Sequence, residues 1–369
     1  MNKTVKIKNI IDLLDNLAPL SYQENYDNSG LITGNPLLDC TGVMCSLDAI
    51  DNVLLEAKRK GCNLVVAHHP IIFGGLKKIT GKTYVERAII TAIKNDIVLY
   101  AIHTNLDNLL TGVNGKMADK LGLEKRKVLL HRQSTLMKLV VFVPVKDAEK
   151  VRKAIFAAGG GNIGNYSECS FNVRGTGTFK PEEGTNPHTG QVGKRETTDE
   201  EKIEVIFPAY LKEKLVNAMT EAHPYEEVAY DLIALTNNYQ EVGTGLIGEL
   251  SAESDEMEFL QLIKNEFNLQ VIRHTPLLEK KVKKVALCGG AGSFLIKNAL
   301  HLGADFFITS DIKYHEFFDA EDRMVIADIG HWESEQYTVD LLHDFLQSKF
   351  TTFAVLKSTV KTNPVNYFT

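Results

Sequence analysis

No apolar run in this sequence approaches the ~18 residues that a bilayer-spanning helix needs. The opening stretch MNKTVKIKNIIDLLDN is broken by Asp12 and Asp15. It reads as a short amphipathic helix rather than a signal peptide. Cysteine is scarce: Cys40, Cys45, Cys62, Cys169 and Cys288 are odd in number, scattered and without CxxC spacing. That excludes a disulfide framework and fits reduced cysteines used as small core residues. Basic charge is also short, with 41 Lys and Arg against 47 Asp and Glu, a net charge of −6. A dedicated nucleic-acid binder needs a basic surface to displace counterions from phosphates, so that class is set aside. Tandem repeats and low-complexity tracts are missing too. What remains is a chain of 369 residues, 44% hydrophobic and 24% charged. Such a chain is expected to be soluble and cytoplasmic, with more than one domain.

The first third alternates β-type runs, GVMCSL (42–47), NLVVAH (63–68) and IVLYAIH (97–103), with amphipathic helices. The last third repeats the pattern through KVALC, ADFFITS and MVIAD, followed by a long helix from about His331 to Lys349. This spacing predicts βαβ units and parallel strands, most simply in one α/β domain with a common sheet drawn from both ends of the chain. The middle reads βαββαβ, the order of a ferredoxin-like α+β unit. Its two middle strands are separated by the polar stretch 179–201, long for a hairpin loop and expected to be mobile or a ligand or assembly loop. The predicted organisation is a core over 1–130 and 237–369, with an inserted domain over 131–236.

The residues able to carry chemistry sit just beyond strand ends, where open α/β sheets bind ligands. His68 and His69 follow NLVVA; adjacent side chains at a strand end diverge and can serve two different ions. His103 and Asp107 follow IVLYAI. His331 and Glu335 follow MVIAD at i, i+4, on one face of the last helix. Each has an ordinary reading alone: hydrogen-bonded turn histidines, an Asx turn or helix cap at Asp107, an exposed first turn at Glu333 and Glu335. Together they make four imidazoles and two carboxylates. That set can hold two divalent cations in N/O coordination with open positions for water. Zinc is taken first, with manganese, iron and nickel left open. Asp48, Asp311 and His315 follow neighbouring strands and are candidates for hydrogen-bond support or substrate contact. The loop YDNSGLITG is expected to carry Asp27 and Asn28 over the site, with an ordinary turn at DNSG as the alternative. The cluster CGGAGS (288–293) departs from the dinucleotide and P-loop patterns; a tight βα turn is favoured over a phosphate cradle.

AHHPIIF, AIHTNLDN, CGGAGS, ITSDIKYHE and DIGHWESE resemble, in that order, the motifs of the Nif-three-like dinuclear-metal family, whose bacterial members are commonly called GTP cyclohydrolase 1 type 2 homologues. The resemblance covers essentially the whole chain, and HPYEEVAYDLI (223–233) is similar to the PII/CutA-like insert of the longer members. It implies that His68, His69, Asp107, His331 and Glu335 bind two metal ions, with His103 a further ligand or proton-handling group. It also implies two α/β subdomains around the crevice and a toroidal homohexamer. Tyr26 is a departure, since many relatives have Trp before the Asp-Asn pair.

The leading expectation is a metal-dependent hydrolase that opens the imidazole ring of a purine nucleotide such as GTP, with His103 or His315 shuttling protons. A phosphoesterase or amidohydrolase is the second reading. The third is a non-enzymatic regulatory or metal-handling assembly protein whose insert senses a ligand or partner. The expected partner is a small-molecule nucleotide, with no membrane or nucleic acid.

Overall fold

The computed structural model describes residues 4–368. None of its helices is long and apolar enough to cross a membrane. By density of internal contacts the chain divides between Leu130 and His131 and between Gln240 and Glu241 into two compact units.

The unit made from both ends holds two sheets. In the first, strands Gly42–Ser46, Leu64–Ala67 and Val98–Ala101 lie parallel and every residue in them is buried. Burial on both faces is why they read as unbroken apolar runs. The order across the sheet is Gly30–Thr33, Val98–Ala101, Leu64–Ala67, Gly42–Ser46, Ala354–Lys357. Helix Ile7–Leu17 presents Ile7, Ile10, Ile11 and Leu14 at helical spacing and packs, with Leu342 and Leu346, against Val43, Leu64 and Val98. Helices Asp51–Arg59 and Tyr84–Lys94 cover the other face through Val53, Leu54, Ala88 and Ile89.

The second sheet runs Arg273–His274, Val325–Asp328, Phe306–Ser310, Lys281–Ala291, Gly243–Asp255, Glu124–His131. Its three central strands are parallel, and Gly243–Asp255 closes them antiparallel. The expected common sheet is therefore corrected: the parallel strands of the two terminal thirds lie in separate sheets, with Ala354–Lys357 crossing into the first and Glu124–His131 into the second. The physical reason is that each parallel set gains its own closing strands and its own helices. Phe259, Ile263 and Phe267 bury one face of the second sheet, and Ile296, Ala299 and Phe307 lie in the core on the other. The C-terminal helix is also divided, into His331–Glu335 and Thr338–Lys349. At the break, Gln336 Nε2 donates to the Phe267 carbonyl at 3.0 Å and Tyr337 hydroxyl to the Glu266 carbonyl at 2.7 Å. These bonds satisfy the carbonyl end of helix Glu256–Glu266.

The second unit has strand order Phe171–Phe179, Glu196–Pro208, Leu136–Pro144, Tyr230–Ala234, all antiparallel, which is the ferredoxin-like order. Helices Ala148–Ala157 and Lys212–Ala222 cover one face through Val151, Ile155, Leu215 and Met219. The middle strands extend well into the polar stretch, so only 180–195 connects them. The strand expected over 169–175 is found and runs on to Phe179; it is largely exposed, so its continuation carries no alternating apolar pattern. The connection and the segment around Tyr225 line a cavity of about 670 Å³, beside which Tyr225 hydroxyl donates to Glu200 at 2.9 Å.

Candidate metal centre

Four histidines meet where the strand ends of the two sheets face each other, and each has its δ nitrogen engaged. His68, fully buried, is held through Nδ1 by the Ile102 carbonyl at 2.8 Å. The other three are held by carboxylates: His69 by Asp48 at 2.8 Å, His103 by Asp27 at 2.8 Å, His331 by Asp311 at 2.6 Å. A donor bond at Nδ1 leaves the lone pair on Nε2, the arrangement that orients and strengthens a metal ligand. Ring centroids lie 4.9 Å apart for His68 and His69, 5.2 Å for His68 and His103, and 5.4 Å for His69 and His331.

Two carboxylates enter this group. Glu335 Oε2 is 2.9 Å from His69 Nε2, 3.3 Å from His331 Nε2 and 3.8 Å from His68 Nε2. Asp107 Oδ1 is 3.6 Å from His68 Nε2. Among the described residues three sets have ligand atoms within 4.8 Å of one another: His68, His69, His103; His69, His331, Glu335; and His68, Asp107, Glu335. Glu335 thus belongs to two sets drawn from different sheets.

The donor set fits a divalent cation. His68 Nε2 and Asp107 Oδ1 are both buried and neither has a hydrogen-bond partner. Leaving a buried lone pair and a carboxylate oxygen unsatisfied costs free energy that coordination would recover. The charges tell the same story. Burial opposes protonation of His69, but its bonds to Asp48 and Glu335 prevail and raise its pKa to about 9. His331 is likewise pushed up to about 11, by Asp311 and Glu335 against burial. Burial and the Glu335 carboxylate raise Asp107 to about 7. Glu335 itself stays well below the usual carboxylate range despite burial, because the imidazoles of His331 and His69 meet it closely and that of His68 stands 3.8 Å away. Protons on the imidazoles stand where positive charge is wanted.

The glycines of CGGAGS serve this centre in a way the sequence did not reveal. Strand Lys281–Ala291 continues through them, so the tight turn expected there is displaced to 292–295. Gly290 has φ +64°, and a Cβ on it would lie 2.4 Å from Glu335 Oε1 and 3.3 Å from His331 Cε1. Only glycine lets the strand press so closely on the ligands.

His68, His69, His103, Asp107, His331 and Glu335 are thus brought together, with Asp27, Asp48 and Asp311 behind them. Asn28 instead donates to the Ile72 carbonyl at 2.7 Å. His315 stands apart, exposed on the short turn Tyr314–Ala320 with its ring against Tyr314 and Phe318, and it belongs to none of the three sets. Asp311 adopts φ +57° outside that turn, so the i, i+4 spacing does not align it with His315. The C-terminal tail also braces the centre without any sequence signal. Thr362 accepts from Trp332 Nε1 at 3.1 Å, and Asn363 donates to Glu333 at 2.9 Å. Glu56, on the first sheet's side, accepts from the Ser358 and Thr359 hydroxyls, both at 2.6 Å.

A family model described as Duf34/NIF3 (NGG1p interacting factor 3) matches residues 5–364. A protein of Halalkalibacterium halodurans named GTP cyclohydrolase 1 type 2 homolog is 42% identical over 363 residues, 97% of this chain and 98% of its own. Its Bacillus subtilis namesake is 38% identical over 334 residues, 90% of each chain. Among solved structures, a Bacillus cereus protein related to NIF3 superposes with a TM-score of 0.88 at 38% identity, over 100% of both chains. A Staphylococcus aureus protein does so with a TM-score of 0.78 at 29% identity, again over 100% of both chains.

Proposed function

The chain belongs to the Duf34/NIF3 family, and from that premise we propose that it is a dinuclear metal-dependent hydrolase opening the imidazole ring of a purine nucleotide. The observation that carries the reading is the buried, unpartnered pair of His68 Nε2 and Asp107 Oδ1 beside a carboxylate shared with His69 and His331. His68, Asp107 and Glu335 would hold one cation, and His69, His331 and Glu335 the other. Cations bound there would supply Lewis acidity and lower the pKa of a water towards ~7.

The protein's own groups divide the remaining tasks. Asp27 takes hydrogen bonds from His103 and from the Thr104 and Ser29 hydroxyls, which keep it ionised against burial. Anchored through Nδ1, His103 presents Nε2 to the centre, where it can accept a proton and return it to a ring nitrogen as the C8–N bond breaks. The Asp27 carboxylate stabilises the imidazolium formed in between. Asp48 and Asp311 accept from Nδ1 of His69 and His331 and turn Nε2 of each towards Glu335, where a cation would take the place of the Nε2 proton. The assembly in which this happens is proposed to be a homohexamer, which light scattering at micromolar concentration checks; a monodisperse monomer or dimer would contradict it.

The deciding experiment loads the protein with zinc, manganese, iron or nickel and offers GTP, with mass spectrometry for ring-opened product, formate and phosphate. Ring-opened product from the native chain and none from His69→Ala supports the reading. Phosphate release without ring opening would replace it with a phosphoesterase. Equal traces of activity in both chains would leave metal handling without catalysis.

A further inference from the structure

One solvent-exposed ring stands against His103, and a second is carried by the residue before Asp27. Phe73 is 56% exposed, and its ring meets the His103 ring edge-on, at 5.6 Å and 85°. The two residues before it, Ile71 and Ile72, turn inward and pack in the core of the first sheet. The backbone is therefore anchored while the Phe73 side chain is left out of that core. Beyond it, Gly74 and Gly75 have open space where a Cβ would be, so nothing crowds the approach. Tyr26, next to Asp27 in sequence, is 72% exposed. The loops that carry the two rings are joined, because Asn28 Nδ2 donates to the Ile72 carbonyl at 2.7 Å. An aromatic ring held out in water beside a polar reacting centre offers a π face to a planar ligand.

We propose that Phe73, assisted by Tyr26, is the platform on which the planar heteroaromatic base of a nucleotide stacks beside His103, and that it sets the specificity of the centre for ring-bearing substrates. This rests on the reading of the centre as the reacting site and adds the residues that choose what enters it. Phe73 touches no ligand atom of the metal groups through a polar contact; it acts on the substrate. Phosphoesters and amides without a ring gain nothing from it.

The test measures binding separately from turnover. Full-length metal-loaded protein, wild type and Phe73→Ala, Phe73→Leu and Phe73→Trp, is titrated with GTP and, in parallel, with inorganic triphosphate. Elemental analysis follows metal content. Loss of one stacking partner is expected to weaken GTP binding about tenfold in the Ala and Leu variants. Triphosphate binding and metal content should stay unchanged, and Phe73→Trp should retain wild-type affinity for GTP. Tyr26→Ala should lose a few-fold and Tyr26→Phe nothing. Wild-type protein that binds GTP no more tightly than triphosphate, or a Phe73→Ala variant with an unchanged ratio, overturns the platform. Ring-dependent GTP binding without ring-opened product would reject the proposed reaction and leave the platform standing. Ring-opened product with an unaltered KM in Phe73→Ala would do the reverse.

Discussion

The two halves of the metal centre are built differently. On the first sheet, His68 is fully buried and its ring is fixed by a backbone carbonyl, a partner that neither titrates nor changes rotamer. On the second, His331 sits at the start of a five-residue helix, its side chain 41% exposed, fixed by the Asp311 side chain, itself half exposed. The first half has one imidazole, His68, anchored on the backbone of its parallel sheet, while His69 and His103 lean on the Asp48 and Asp27 side chains. The second is assembled from side chains, a glycine with positive φ on either side and the C-terminal tail. Rigidity on one side with adjustability on the other suits a site that must admit cations and substrate and still hold geometry.

Glu335 is where the halves meet, and removing it should break the comparison outright. Glu335→Ala takes a carboxylate from two of the three ligand sets, so both cations should be lost, whereas Asp107→Asn should lose about half the metal. Elemental analysis after dialysis distinguishes them; equal occupancy in the two variants would show that Glu335 is not shared. Gly290→Ala comes next. Its Cβ would meet Glu335 Oε1 at 2.4 Å in a backbone region that L residues avoid. A destabilisation of about 1–3 kcal/mol is expected from the strain, with weakened metal retention, read by denaturant melts and metal analysis.

The third effect is pH dependence, and the halves should differ in it. In metal-free protein, His69 and His331 have pKa values raised from 6.5 to about 9 and about 11. Their contribution to stability is complete below pH 6.5 and is lost as pH rises through the folded values. Asp107, raised from 3.8 to about 7, adds a further loss as it ionises below that point. Metal-free protein should therefore melt progressively lower from pH 6.5 to pH 9, the window opened by the His69 shift. Cations replace these protons, so metal-loaded protein should show no such fall, and metal affinity should rise over the same window. Melting scans with chelator and with metal check both; parallel curves would contradict the assignment.

The first half was also the more legible in sequence. NLVVAHHP and IVLYAIH announce strands by buried apolar runs, and a strand end fixes where the next residues go. DIGHWESE was legible because i, i+4 spacing survives even in a helix of five residues. Asp48, Asp27 and Asp311 could be named as helpers, but their pairing with particular imidazoles depends on three-dimensional approach. Gly290 was read as a turn because glycine after a strand usually marks one; its actual use, clearance for Glu335, has no local signature. Asp311 and His315 do not share a face because Asp311 leaves the helical region, which a count of residues cannot show. The common sheet failed because strand pairing is non-local: nothing in MVIAD or IVLYA says which strand lies beside it.

A smaller effect sharpens the contrast through the acids behind the rings. Asp48→Asn and Asp311→Asn each keep shape while removing charge from a hydrogen bond to a ligand imidazole. Such outer partners typically shift metal affinity by about 10–100-fold. Asp48, 27% exposed at the side chain against 51% for Asp311, sits in the less solvated position, so its variant should show the larger loss. Competition with a chelating dye ranks the two, and the reverse order would mean that the second half is the more tightly held.

The smallest effect on the metal should come from the largest change to the chain. Residues 131–240 form a compact unit with its own core of Val141, Val151, Ile203 and Leu215, and none of the ligand sets draws on it. Its entry and exit lie side by side, since the Leu235 amide donates to the Leu136 carbonyl at 3.0 Å. Replacing the unit by a short Gly-Ser linker asks the flanking chain to close only a small gap, and loop closure depends weakly on length. The shortened protein should fold, retain full metal content and keep the GTP-to-triphosphate binding ratio, while its oligomer size changes. Those three measurements separate the possibilities: loss of metal from a folded core would mean that the insert helps build the centre, and an unchanged oligomer would mean that assembly is carried by the two sheets alone.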